Sequence, residues 1–133
     1  MKYRLMDILA CPYDKKFPLK LYVFEEKVYP EREYVWDKKP LCELYCGLLE
    51  KKVEELDETP CEECIKKEIV EGLIFCEVCN RWYPIVEEIP IFLPDEIREK
   101  RKQEDLKFLN KYKDKIPEKI LKEGKPWTLT NRE

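Results

Sequence analysis

The sequence predicts an α+β fold: a small antiparallel sheet of zinc-ribbon type, an inserted helical hairpin, and a carboxy-terminal helical extension. Three observations predict it. First, the stretch EGLIFCEVCNRWYPIVEEIPIFLP, residues 71–94, places a Cys-x-x-Cys pair, Cys76 and Cys79, between runs rich in β-branched and aromatic residues, the outline of strands joined by a metal-binding turn. Second, segment 40–67 carries apolar residues and cysteines at helical spacing. Third, the composition changes past Pro94, where Leu106, Leu109, Tyr112 and Ile116 recur at helical spacing in a charged background. The expected organisation is therefore one ribbon-like domain over 1–94, built from halves 1–24 and 68–94 with an insertion at 40–67, followed by an extension at 95–133.

In chain order, Leu5, Ile8 and Leu9 fit one face of a short helical turn leading into Cys11. Leu19 to Phe24 alternates and reads as a strand. Residues 25–39 are charged and aromatic, with Pro30, Tyr34 and Trp36, and read as a loop or irregular hairpin. Pro40 opens a helix to Leu56 with Cys42, Cys46, Leu49, Val53 and Leu56 on one face, weakened by Gly47. Thr59 as N-cap, Pro60 as first helical residue and Glu62 form a capping box for a second helix reaching Lys67. Gly72–Phe75, Trp82–Val86 and Ile89–Leu93 are the remaining strands, and Asn80 suits a left-handed turn position. Asp95 caps a helix from Glu96 to about Lys115, with Arg98 to Lys102 on a solvated face. Pro117 starts a short helix ending near Gly124. The tail carries one large apolar residue, Trp127.

Composition narrows the chemistry. The chain has 133 residues, a net charge of -3, 44% hydrophobic and 41% charged residues, no histidine and no serine. Without His the commonest acid-base group is missing, and without Ser or His no hydrolase triad can be built. The three glycines are scattered, so no Gly-rich phosphate loop exists. Net acidity argues against a protein whose task is wrapping a phosphate backbone. No apolar run spans a membrane and no signal-peptide pattern opens the chain, so the expected location is the cytoplasm. Dominance of Lys and Glu over amides suits a protein of a heat-loving organism.

Two cysteine sets carry the site hypotheses. Cys76 and Cys79 supply half of a tetrahedral site. The other half lies in DILACPYDKK, residues 7–16, where Cys11 starts a matching turn and Asp14 falls where a second cysteine belongs. A redox pair is the competing reading of Cys76 and Cys79, and a free surface carboxylate that of Asp14; iron would want a fourth thiolate. Cys42 and Cys46 on one helix would face Cys61 and Cys64 on the next. Antiparallel packing would pair Cys42 with Cys64 and Cys46 with Cys61 as disulfides, the favoured reading, and a second four-thiolate zinc site is the other. Ile89, Pro90, Ile91, Phe92 and Leu93 break the alternation of a half-buried strand, so this run is either central or covered by a partner.

The opening MDILACPYD, the central EGLIFCEVCNRWYPIVEEIPIFLP and the helical layout between them resemble the small zinc-binding activator subunit of tRNA, ribosomal RNA and release-factor methyltransferases, the archaeal branch in particular. The resemblance covers 1–24 and 68–94 by motif. It implies zinc held by Cys11, Cys76 and Cys79, with Asp14 replacing a family cysteine. It also implies a non-catalytic heterodimer with class I methyltransferases that use S-adenosylmethionine, several enzymes sharing one subunit, with RNA reached through the enzyme. The 89–93 run then pairs with an edge of the methyltransferase sheet. The alternative class is a zinc-ribbon nucleic-acid-binding module, which would show steeply salt-dependent RNA binding.

Overall fold

A computed structural model describes residues 1–38 and 41–129. Pro40, the expected start of the first inserted helix, and residues 130–133 of the expected extension lie outside the described residues. The strands in chain order are β1 (Lys20–Val28), β2 (Tyr45–Cys46), β3 (Lys51–Lys52), β4 (Lys67–Phe75), β5 (Trp82–Val86) and β6 (Ile89–Pro90). The helices are α1 (Cys61–Cys64), α2 (Asp95–Arg98), α3 (Lys102–Lys111) and α4 (Glu118–Glu123). The class is α+β, as expected. The main sheet is antiparallel in the order β1-β4-β5-β6, and β2 and β3 form a separate two-stranded ribbon.

Side-chain alternation divides the sheet into two faces. Leu19, just before β1, and Leu21, Ile74, Tyr83 and Ile85 point to one face, where Met1, Tyr3 and Met6 from the amino terminus cover them. Phe24, Leu73, Phe75 and Trp82 point to the other, against Phe108, Leu109, Tyr112, Ile116 and Ile120 of the extension. Because β4 is covered on both faces, seven of its nine positions are buried and its sequence reads as a nearly unbroken apolar run. β1 and β4 both run longer than their expected strands, taking in Glu25 to Val28 and Lys67 to Glu71. Register shifts around Glu25 bend β1 where it passes Gly72. A Cβ on Gly72 would lie 2.6 Å from the Tyr22 carbonyl oxygen, so the close approach needs glycine.

The inserted helical hairpin is not formed. The segment from Leu41 folds instead as bends, the β2–β3 ribbon and a 3-10 turn at Val53–Glu55. Long-range contacts override the helical spacing. The Asp7 carboxylate accepts the consecutive amides of Glu43, Leu44 and Tyr45 at 2.9, 2.8 and 2.8 Å, and Glu50 sits at φ 55°. Gly47 lies so close to the Tyr3 carbonyl that a Cβ would approach it to 2.4 Å. The second helix shrinks to the single turn α1, because β4 claims the chain from Lys67. Its expected capping box is absent: no side chain caps α1, and the Thr59 hydroxyl accepts from the Cys61 thiol instead.

The extension is also broken differently. The expected helix from Glu96 to Lys115 is split by a 3-10 turn at Glu99–Arg101 and ends at Lys111, and Asp95 makes no side-chain cap. Arg98 is not on a solvated face. It is 1% exposed, pairs with Asp105 at 3.1 Å, donates to the Trp82 carbonyl and lies 4.5 Å from the Trp82 ring centroid. Those partners compensate a charge that burial alone would penalise heavily. Trp127 docks the tail: its carbonyl accepts from Trp82 Nε1 at 3.0 Å, and its own Nε1 donates to Asp105 at 3.1 Å. α4 (Glu118–Glu123) begins just after Pro117 and is capped by Gly124, as expected.

Candidate metal centre

Two turns of the same construction face each other. In the first, Cys11 N–H donates to the Lys16 carbonyl at 3.1 Å and Lys15 N–H to the Cys11 carbonyl at 2.8 Å. In the second, Cys76 N–H donates to the Arg81 carbonyl at 2.8 Å and Asn80 N–H to the Cys76 carbonyl at 2.9 Å. The fifth residue of each turn is left-handed, Lys15 at φ 66° and Asn80 at φ 63°. The fourth residue of each, Asp14 and Cys79, therefore points back toward the first. Asp14 thus occupies in its turn the position that Cys79 occupies in the other.

The four ligand atoms of Cys11, Asp14, Cys76 and Cys79 all lie within 4.8 Å of one another. Cys11 and Cys79 sulfurs are 3.7 Å apart, close to the roughly 3.8 Å edge of a tetrahedron with a metal–sulfur bond of about 2.3 Å. The Cys76 thiol donates to both Asp14 oxygens, at 3.5 and 3.3 Å. Cys11 and Cys76 are buried, Cys79 half-buried and Asp14 exposed. Three sulfurs and one carboxylate in this arrangement fit zinc, which takes both donor types in four-coordinate sites.

The surroundings divide the ligands electrostatically. Burial pushes the Cys11 thiol up, but the amides of Asp14 and Tyr13, the Tyr83 hydroxyl and the Cys79 thiol outweigh it, and its pKa is lowered. Burial pushes Cys76 up to about 12, aided by Asp14. The Lys16 amide, 2.9 Å from Asp14 Oδ1, holds the Asp14 carboxyl below its ordinary value. One thiol thus leans toward the ionised form a metal requires, and another keeps its proton until a cation replaces it.

Residues outside the ligand set tie the centre to its neighbours. The Tyr83 hydroxyl lies 3.7 Å from Cys11 sulfur, and its ring stacks on Phe92 at 4.3 Å between centroids. Arg81 lies over the Tyr13 ring at 3.7 Å and pairs with Asp95 at 2.8 Å, while the Asp95 amide donates to the Tyr13 hydroxyl. The sequence places Tyr83 only within a strand and does not single out Tyr13 or Arg81. The one signal for them is adjacency, each lying within two residues of a ligand or an expected ligand-bearing turn.

The 89–93 run returns along the sheet edge toward the centre. Only Ile89–Pro90 forms a strand, shorter than expected, although the Ile91 amide still donates to the Pro84 carbonyl at 2.9 Å. Ile89 is exposed, and Pro90, Ile91, Phe92 and Leu93 are half-buried. The second cysteine set does not form its expected disulfides. All seven cysteines are free, and the facing helices that the Cys42–Cys64 and Cys46–Cys61 pairings require are missing.

A short antiparallel sheet with two facing ligand turns defines a zinc-ribbon-like small domain. The family model described as Trm112p-like protein matches residues 2–88, and the chain belongs to that family, the small activator subunits of methyltransferases. Membership supports a methyltransferase-activator role. No curated protein matches the chain significantly. Among the described residues, no helix is long and apolar enough to cross a membrane.

Proposed function

We propose that the chain is a non-catalytic subunit that activates and stabilises class I, S-adenosylmethionine-dependent methyltransferases modifying tRNA, ribosomal RNA or translation factors. It acts as one half of a cytoplasmic heterodimer and meets cofactor and RNA only through the enzyme. The observation that carries this reading is the position of β6 in a chain of this family. Ile89–Pro90 form the edge strand, and the apolar run continues past it to Leu93 and Pro94, with Phe92 stacked on the Tyr83 ring beside the candidate metal centre. An extended partner strand laid along that edge gains backbone hydrogen bonds, and alternate side chains supply selectivity. Zinc on Cys11, Cys76, Cys79 and Asp14 would hold the amino-terminal turn against the β4–β5 hairpin and so fix the base of the docking edge. Residues 1–94 form the docking unit in this reading, and residues 95–133 brace it.

The test is Ile91→Asp. A carboxylate buried against the enzyme without a partner is expected to cost about 2–4 kcal/mol of binding, a loss of copurified methyltransferase and of its S-adenosylmethionine binding. The variant's circular dichroism should match the parent. A folded variant that binds and activates its enzyme normally would move the interface elsewhere.

A further inference from the structure

A second group of sulfurs lies apart from the first. Cys42, Cys46, Cys61 and Cys64 all line one small pocket of about 20 Å³, with Lys2 and Arg4 on its wall. Three of the thiols are buried and Cys64 is half-buried. The pocket joins the two ends of the insertion, Leu41–Cys46 and Cys61–Cys64, which are brought together without a helix pair.

Asp7 and the amino-terminal core hold part of this segment, through the amides of Glu43, Leu44 and Tyr45 and the side chains of Tyr45, Leu48 and Cys64, but the remainder has little packing of its own. Its own apolar cluster consists of Leu41, Cys61 and Ile65, with Tyr34 packed against them. Its regular structure amounts to two-residue strands and single turns. A segment with so small a core ordinarily needs a covalent or metal staple. Disulfides would divide four thiols into two separate pairs, whereas here all four line one pocket. We propose that Cys42, Cys46, Cys61 and Cys64 form a second, four-thiolate site for a soft divalent cation such as zinc, which staples the insertion.

The chemistry needs no electron transfer. Four thiols lose four protons and bind one divalent cation, leaving a centre of net charge -2 in reach of the Arg4 charge that already acts on Cys42. Burial raises Cys42 to about 11 and Cys64 to about 12, so these thiols stay protonated until a cation displaces the protons. Among the described residues, only the Cys11–Asp14–Cys76–Cys79 set brings three or more ligand atoms within 4.8 Å. Binding must therefore draw the bends around Cys42 and the turn at Cys61 inward. Soft thiolate sets select zinc-like ions over harder ones, and cobalt reports their geometry. The site needs no residue of a partner enzyme.

The experiment titrates cobalt(II) into full-length, reduced protein under anaerobic conditions. Wild type is expected to take two equivalents, and the Cys76→Ser/Cys79→Ser variant one, with the intense charge-transfer bands of tetrahedral tetrathiolate coordination. Cys61→Ser/Cys64→Ser should lower the wild-type count from two to one. As a control independent of that variant's fold, the four thiols are also mapped by alkylation in wild type. Protection with cobalt bound, and reaction at all four after chelation, supports the site. A single equivalent in wild type that the Cys76→Ser/Cys79→Ser variant loses overturns it. So does a Cys76→Ser/Cys79→Ser protein that binds none while its four remaining thiols alkylate freely, or disulfides within the set in protein isolated under argon.

Discussion

Asp14 stands at a position built for a thiolate, because its turn repeats the hydrogen bonds and the left-handed residue of the Cys76–Arg81 turn. Asp14→Cys should therefore complete a four-sulfur site without moving the backbone. Softer donors hold zinc harder, and the expected outcome is roughly tenfold slower loss of metal to a chelator, followed with a zinc-responsive dye. Another single residue sets an acid limit. Glu68 is buried and accepts the α-ammonium of Met1 at 3.0 Å, Lys2 at 3.0 Å and Arg32 at 2.8 Å. Burial pushes its carboxyl up, but these three cations overcome that and bring it to about 2, from an ordinary 4.5. The folded pKa is depressed, so the stabilisation is present above the unfolded value and is lost as pH falls from about 4.5 toward 2. It amounts to roughly 2–3 kcal/mol after allowing for solvent near Lys2. Urea midpoints measured at pH 7 and pH 3 should fall further in the parent than in Glu68→Gln. Equal losses in the two proteins would place the acid sensitivity elsewhere.

At the scale of elements, the close passage of β1 over β4 depends on one missing side chain. Gly72→Ala would press a methyl against the Tyr22 carbonyl and the Ile69 side chain, the latter at 3.2 Å. Overpacking of this kind should cost about 1–3 kcal/mol, read as a lowered urea midpoint. The strands were legible because their side chains follow period two and because the Cys-x-x-Cys turn dictates a reversal. The insertion was not. Cys42, Cys46, Leu49 and Val53 carry a helical spacing, but the three amides that a helix would use there are taken by Asp7, 36 to 38 residues earlier. No local window contains that competitor. The grouping at the candidate centre was legible, since spacing points to Cys11, Cys76 and Cys79 with Asp14 as the candidate fourth ligand, and these four side chains do come together. Its attachment to Phe92 through Tyr83 was not, because a buried tyrosine leaves the same sequence signature whichever group its hydroxyl meets.

For the molecule as a whole, the extension closes one face of the sheet through an apolar layer with an ion pair inside it. Asp105 and Arg98 are 2% and 1% exposed, and nothing in a charged helical run announces that burial. Asp105→Ala leaves Arg98 without its carboxylate and should cost about 3–5 kcal/mol, whereas Arg98→Met with Asp105→Leu should recover much of the loss. Thermal unfolding of the single and double variants distinguishes the two outcomes.

The two rims of the sheet differ in a way that fixes a number. β1 ends one side with Lys20, Glu25, Glu26 and Lys27 exposed on it, and β6 ends the other with apolar residues and proline. Mixed charge along a rim discourages further strands from adding there. A sheet so finished favours a valency of one, extension by a single guest at the β6 rim over propagation into a row of copies. If β6 is the rim that receives an enzyme, no two enzymes can hold the same molecule at once. The cellular supply of this small chain would then cap the combined population of every methyltransferase that relies on it.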